Sequence, residues 1–135
     1  MKFGAFIVPV SHNPANDARI IEETLEEIEL LEQVGVDVAF LSEHHIDGEC
    51  AYADPLVFSA AVATRTSRIK IGFSVIEMGI HNPVRLAIQL SLIDNLSGGR
   101  VIVGTARGTR SKYYEYAAFG TSMEEGLERL EEAED

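Results

Sequence analysis

Residues 69–104 read IKIGFSVIEMGIHNPVRLAIQLSLIDNLSGGRVIVG, and this stretch decides the fold. Ile69 to Ile76 is a short apolar run rich in β-branched residues, the signature of a buried strand. Asn82-Pro83 then pairs an N-cap side chain with proline at the first helical position, where its N–H would have no helical partner anyway. The helix it opens runs to Leu96 and is stopped by Ser97-Gly98-Gly99. Arg100 to Gly104 is a second apolar run of strand type. A strand, a helix and another strand joined this tightly predict a parallel crossover.

Upstream the same pattern repeats. Asp54-Pro55 opens an Ala-rich helix to about Thr66, and the strand before it is Val36 to Leu41. Asp17 to Val34 is Glu-rich, with Ile21, Leu25, Ile28 and Leu31 at helical spacing and Gly35 placed as a C-cap. Lys2 to Val8, ended by Pro9, is the first strand. Downstream, Ser122 and Glu125 form a capping-box pattern for a last helix. The expectation is an α/β chain of four β-then-α units forming a single domain over residues 1–135. Continuous apolar runs suit parallel strands covered by helices. Two architectures fit: an open doubly wound sheet, or part of a (β/α)8 TIM barrel. A complete barrel needs about 250 residues. On the barrel reading the four units are its N-terminal half, an incomplete domain, and the helical pattern still running at Arg129 to Asp135 agrees with that.

Composition narrows the function. Of 135 residues, 46% are hydrophobic and 24% charged, which is globular. Eleven basic against 22 acidic residues give a net charge of −11. That charge argues against a nucleic-acid binder and against a protein held on an anionic membrane. No apolar stretch is long enough to span a bilayer, and the N-terminus lacks the apolar core of a signal peptide, so a cytoplasmic protein is expected. A single cysteine, Cys50, excludes an internal disulfide and a Cys-based zinc site.

In parallel α/β folds, ligands lie at the C-terminal ends of the strands. That rule selects Ser11 and His12; Glu43, His44, His45 and Asp47; Ser74, Val75 and Glu77; and Thr105, Arg107, Gly108, Arg110 and Ser111. Histidine titrates near pH 6.5 and suits proton transfer at neutral pH. Adjacent residues at a strand end point apart, so one of His44 and His45 faces the pocket; an imidazole bonded to a loop carbonyl is the competing reading. Glu43, His44, His45 and Asp47 are metal-ligand types, but their spacing matches no recognised pattern, and no metal is expected. Arg107, set among glycine and hydroxyl residues, looks like an anion cradle. The competing reading is an arginine paired with the acidic surface. Tyr113, Tyr114 and Tyr116 read as packing, and Glu22, Glu23, Glu26, Glu27 and Glu29 as a solvated helix face.

Met1-Lys2-Phe3-Gly4, Ser42-Glu43-His44-His45, His81-Asn82-Pro83-Val84-Arg85, Leu92 to Arg100, Gly104-Thr105-Ala106-Arg107-Gly108 and Phe119-Gly120-Thr121 occur in that order. Together, over essentially the whole chain, they resemble the N-terminal part of the bacterial luciferase-like, flavin-dependent monooxygenase family. The resemblance implies a (β/α)8 barrel that oxidises a small organic substrate with O2 and reduced FMN through a flavin hydroperoxide. It implies a separate flavin reductase and a homo- or heterodimer. An F420-dependent oxidoreductase on the same barrel, or a non-catalytic flavin-binding short barrel, are the alternatives. His44 then matches the histidine that assists proton transfer, with His45 beside it and Glu43 orienting the pair. Arg107 matches the flavin-phosphate position, and Gly108 beside it is assigned to the cofactor. Ser74-Val75 matches a non-prolyl cis peptide beneath the flavin ring, with Glu77 at the same strand end assigned to the cofactor. Ala106 stands where some members carry a reactive cysteine.

Overall fold

A computed structural model of the chain describes residues 1–46, 48, 50–108 and 113–134. Four parallel strands, β1 (Gly4–Ile7), β2 (Val38–Leu41), β3 (Lys70–Glu77) and β4 (Val101–Ala106), lie side by side in chain order. Between and after them run α1 (Asp17–Gln33), α2 (Pro55–Arg65), α3 (Pro83–Ser97), α4 (Tyr113–Ala118) and α5 (Met123–Glu134). A doubly wound sheet reverses its strand order at a switch point. This sheet does not reverse, so of the two architectures open to the sequence the barrel-type winding is the one adopted. The short α4 was not foreseen from the sequence.

Each helix starts and stops where its local chemistry dictates. The Asp54 side chain accepts from the amides of Leu56 (2.9 Å) and Val57 (3.1 Å), and Asn82 accepts from Arg85 N at 3.0 Å. After α3, Gly98 adopts φ +70°, a left-handed C-cap that favours glycine. At α5 the expected capping box is half formed. Ser122 Oγ accepts from Glu125 N at 3.3 Å, but the Glu125 carboxylate turns to the Thr121 hydroxyl at 2.9 Å.

The two faces of the sheet differ. On one, the register rows Ala5–Ala39–Ile71 and Ile7–Leu41–Phe73 pack with Leu25 and Ile28 of α1 and with Leu56, Phe58 and Val62 of α2 into the core. On the other, the Phe40 ring lies across Gly4 and Gly72 of the flanking strands. A Cβ at Gly72 would come within 2.3 Å of the ring and one at Gly4 within 2.7 Å, so a side chain at either place would displace the ring. Phe6, on the same face, is 59% exposed.

Arg100 ties the helical layer together. It is 8% exposed, and its five N–H groups donate to Ser97 O, Thr66 Oγ1, Ile69 O, Ala63 O and Thr66 O. The guanidinium thus joins the C-terminal ends of α2 and α3 without an unmet donor. Glu32, near the end of α1, does the converse. It accepts from the amides of Ser67, Arg68 and Ile69 and from the Ser67 hydroxyl.

Candidate active site

The site is built where β2 and β3 end. Beyond β2, Ser42 is held by its hydroxyl, 3.2 Å from Ile7 O, and by Tyr52, whose phenol donates to Ser42 O at 2.8 Å. Glu43 follows, 3% exposed. Its Oε1 receives His45 Nε2 at 2.8 Å and His81 Nε2 at 2.7 Å, and its Oε2 receives Glu77 N at 2.5 Å. Burial alone would push this carboxyl up. The bonds from His45 and His81, the charge of His81 and the Glu77 amide outweigh burial and hold it at about 2. For His45, burial pulls the imidazole down, while the Glu43 bond and charge, helped by Glu115 and Asp54, carry it above its ordinary value.

His45 is fixed a second time through its backbone. Its amide donates to Glu115 Oε1 of α4 at 2.9 Å. Glu115 is fully buried, and its Oε2 has no hydrogen-bond partner among the described residues. The Phe119 ring meets the His45 ring edge-on, with centroids 4.9 Å apart. His44 therefore sits, half-buried, between two residues whose side chains are both fixed.

The donor atoms of Glu43, His45 and His81 lie within 4.8 Å of one another, close enough for a metal ion. In this structure they are directed at each other, and both imidazoles bond the same carboxylate oxygen.

Beside this network the β3 backbone carries the cis Ser74-Val75 peptide implied by the resemblance. Here β3 holds one extra residue relative to β4: Ser74 pairs with Gly104, but Thr105 pairs with Ile76. A Cβ on Gly104 would lie 2.8 Å from Phe73 O, so the irregular segment needs glycine opposite it. Ser74 is exposed and Val75 half-buried.

At the end of β4, Arg107 lines a cavity of about 460 Å³ with Met123, Glu124 and Leu127 of α5. Gly108 has φ +95°, and a Cβ there would meet the Tyr116 hydroxyl at 2.6 Å and the Glu77 carboxyl carbon at 3.0 Å. Its place is thus against protein atoms. Tyr116 is 1% exposed, as its packing reading requires, whereas Tyr113 is largely exposed. The Tyr116 phenol is pushed up by burial first and by Glu77 next, against Arg107.

Ser11 is spent on Asp17 and Asn13 O, and His12 is exposed. Cys50 is buried, and burial pushes its thiol up. Asp47, Arg110 and Ser111 lie outside the described residues.

Two members of the network, His81 and Glu115, were missing from the sequence-derived candidates. His81 directly precedes the Asn82-Pro83 helix start, just beyond the end of β3, so the strand-end rule reaches it. Glu115 lies 70 residues from its partner His45, and nothing local marks it.

Comparison with known proteins agrees with this fold. A family model described as luciferase-like monooxygenase matches residues 1–135. Limonene 1,2-monooxygenase of Rhodococcus erythropolis is 42% identical over 107 residues, 78% of this chain but 27% of that protein. The alkanal monooxygenase alpha chain of the Kryptophanaron alfredi symbiont is 28% identical over 130 residues, 96% of this chain and 36% of its own length. The chain thus spans roughly a third of the curated relatives it matches. Among solved structures, monooxygenase RslO1 from Streptomyces bottropensis superposes with TM-score 0.88 at 32% identity, over 98% of this chain and 40% of that one. The oxygenating constituent of 3,6-diketocamphane monooxygenase from Pseudomonas putida, in complex with FMN, gives 0.85 at 20% identity over 98% and 37%. A coenzyme F420 dependent tetrahydromethanopterin reductase from Methanopyrus kandleri gives 0.62 at 23% over 86% and 30%. These last two show the shared fold alone.

Proposed function

This chain belongs to the luciferase-like monooxygenase family, and from that premise we propose that it forms one wall of a flavin-dependent monooxygenase acting on a small organic substrate with O2. The observation that carries the reading is the placement of His44. It is presented between Glu43 and His45, both fixed by side-chain bonds, where β2 and the cis-peptide-bearing β3 end. That arrangement suits a proton-transfer group held at one place.

The residues present fit a flavin. The Phe40 ring lying over Gly4 and Gly72 gives the sheet a flat aromatic face, Ser74 supplies an exposed hydroxyl at its end, and Arg107 supplies a cation for a phosphate. Reduced FMN, when bound, supplies the two electrons with which one oxygen atom enters the substrate and the other leaves as water. His44 would hold or pass the proton, with Glu43 and His45 keeping it in place. Ser74, Val75 and Arg107 would contact the cofactor. Glu77 and Gly108, packed together beside Tyr116, would support that wall. We place the remaining barrel strands in the rest of a longer chain, and the protein in the cytoplasm with a separate flavin reductase.

A dimer belongs to the same proposal. Val84, Ile88 and Leu92 recur every fourth residue along α3 and are exposed, as is Val57 of α2. An apolar stripe of that kind suits a partner subunit.

The second reading is an F420-dependent oxidoreductase, a chemistry that the same fold also carries in an F420-dependent reductase. The two separate by assay of the full-length protein. With reduced FMN and ¹⁸O2, and with limonene and an alkanal as probes, the proposal predicts one labelled oxygen in the product. Oxygen-independent reduction of F420 by an alcohol substrate would replace it with the second reading.

A further inference from the structure

We propose that His81 is a positioning residue for His44, acting through Glu43. Its catalytic consequence rests on the monooxygenase reading. The structural part stands on four observations.

First, His81 and His45 bond the same oxygen of Glu43, at 2.7 and 2.8 Å, and the other oxygen takes the Glu77 amide. One carboxylate thereby ties the segment after β2 to the end of β3 and to the turn beyond it. Second, that turn is a firm mount. Met78, Gly79 and Ile80 are buried, and a Cβ on Gly79 would lie 2.9 Å from the Tyr116 ring and 3.0 Å from the Gly126 backbone. His81 N donates back to Met78 O, and the next residue, Asn82, caps α3. Third, His44 lies between Glu43 and His45, and the His45 backbone is anchored to Glu115. The His44 backbone is thus held at both flanks. Fourth, Glu43 is deeply buried, so a lost donor is not replaced by bulk water.

Without His81, Oε1 keeps a single side-chain donor. The carboxylate can then turn toward His45, and the stretch carrying His44 loses its tie to the turn beyond β3, keeping only the Glu77 amide. Loss of a group that holds the neighbour of a reacting side chain can lower turnover tenfold or more by letting that side chain move.

The experiment compares His81→Leu, His81→Gln and His81→Asn in the full-length protein. Glutamine carries an N–H that reaches Glu43, asparagine is one methylene too short, and leucine has none. The proposal expects kcat to fall at least tenfold in His81→Leu and His81→Asn, with reduced-flavin Kd within threefold of the parent. His81→Gln should stay within threefold in both. In the flavin-free protein, the His44 imidazole NMR resonances should move in the first two variants and stay in the third. Unchanged kcat in His81→Leu, equal losses in all three, a loss confined to flavin affinity, or unmoved His44 resonances would overturn it. If His81→Leu does not fold, the Asn and Gln pair decides alone. If the parent protein shows no flavin-dependent oxygenation, the monooxygenase reading fails separately, and the His44 resonances still decide the positioning role.

Discussion

His81 Nε2 stands 2.7 Å from Glu43 Oε1 although 38 residues separate the two in the chain. The bond closes a circuit of groups with opposite charge tendencies: a carboxyl held at about 2 and an imidazole, His45, raised above its ordinary value.

Stability should follow that circuit. Glu43 is ionised in the folded chain well below its ordinary 4.5, so it favours folding above pH 4.5 and that contribution is lost as pH falls toward 2. His45 is shifted the other way. Its contribution is full below its ordinary 6.5 and is lost as pH rises through its higher folded value. The pair therefore stabilises most between these two values. Chemical denaturation of the full-length protein and of Glu43→Gln at pH 3, 5.5 and 8 should show their largest difference at pH 5.5. The comparison removes the contribution of Glu32, also held at about 2, burial raising it and the amides of residues 67–69 outweighing that. An equal difference at all three pH values would contradict this.

Arg100 belongs to the run Leu92 to Arg100, and its role is structural. Replacing it with lysine leaves three N–H donors for five acceptors. Breaking a buried hydrogen-bonded network of this type costs about 2–5 kcal/mol. A urea unfolding free energy lowered by that amount, with flavin Kd unchanged, is the expected result.

Gly72→Ala tests the flat face. The new methyl would meet the Phe40 ring at 2.3 Å and push it off the sheet. Overpacking costs about 1–3 kcal/mol. The displaced ring would also reach into the space assigned to the flavin, so denaturation and flavin titration should both register the change. A variant that keeps stability and affinity would remove Phe40 from that wall.

His44→Ala and Arg107→Ala should fail in different ways. Loss of a general acid–base group lowers turnover by about 10²–10⁴-fold and leaves binding nearly intact. Loss of a charge-assisted bond weakens flavin binding by about 1.5–3 kcal/mol. Steady-state kinetics beside equilibrium titration separates the two, and a pattern the other way round would exchange their roles.

The Asp54-Pro55 and Asn82-Pro83 starts, Gly35, and the apolar runs at residues 36–41 and 69–76 each carry local signals, and the elements lie within two residues of where those signals put them. The choice between barrel and open sheet was not local. Strand order settles it, and order depends on which edges meet in space. The site divided in the same way. Glu43, His44 and His45 are contiguous and stand at a strand end. Glu115 reaches His45 only because α4 folds back to the segment beyond β2, and it sits beside tyrosines whose packing role hid it. Gly108 reads as part of an anion cradle with Arg107, and its missing Cβ also leaves room for Tyr116 and Glu77, contacts that no spacing rule encodes.

The most direct test of the central claim is anaerobic titration of the full-length protein with reduced FMN and with reduced F420, followed by rapid mixing with O2. The account predicts tighter binding of FMN, weakened by Arg107→Ala, and an oxygen reaction altered by His44→Ala at unchanged affinity. Preferential binding of F420 with no reaction toward O2, or indifference of both variants, would contradict it.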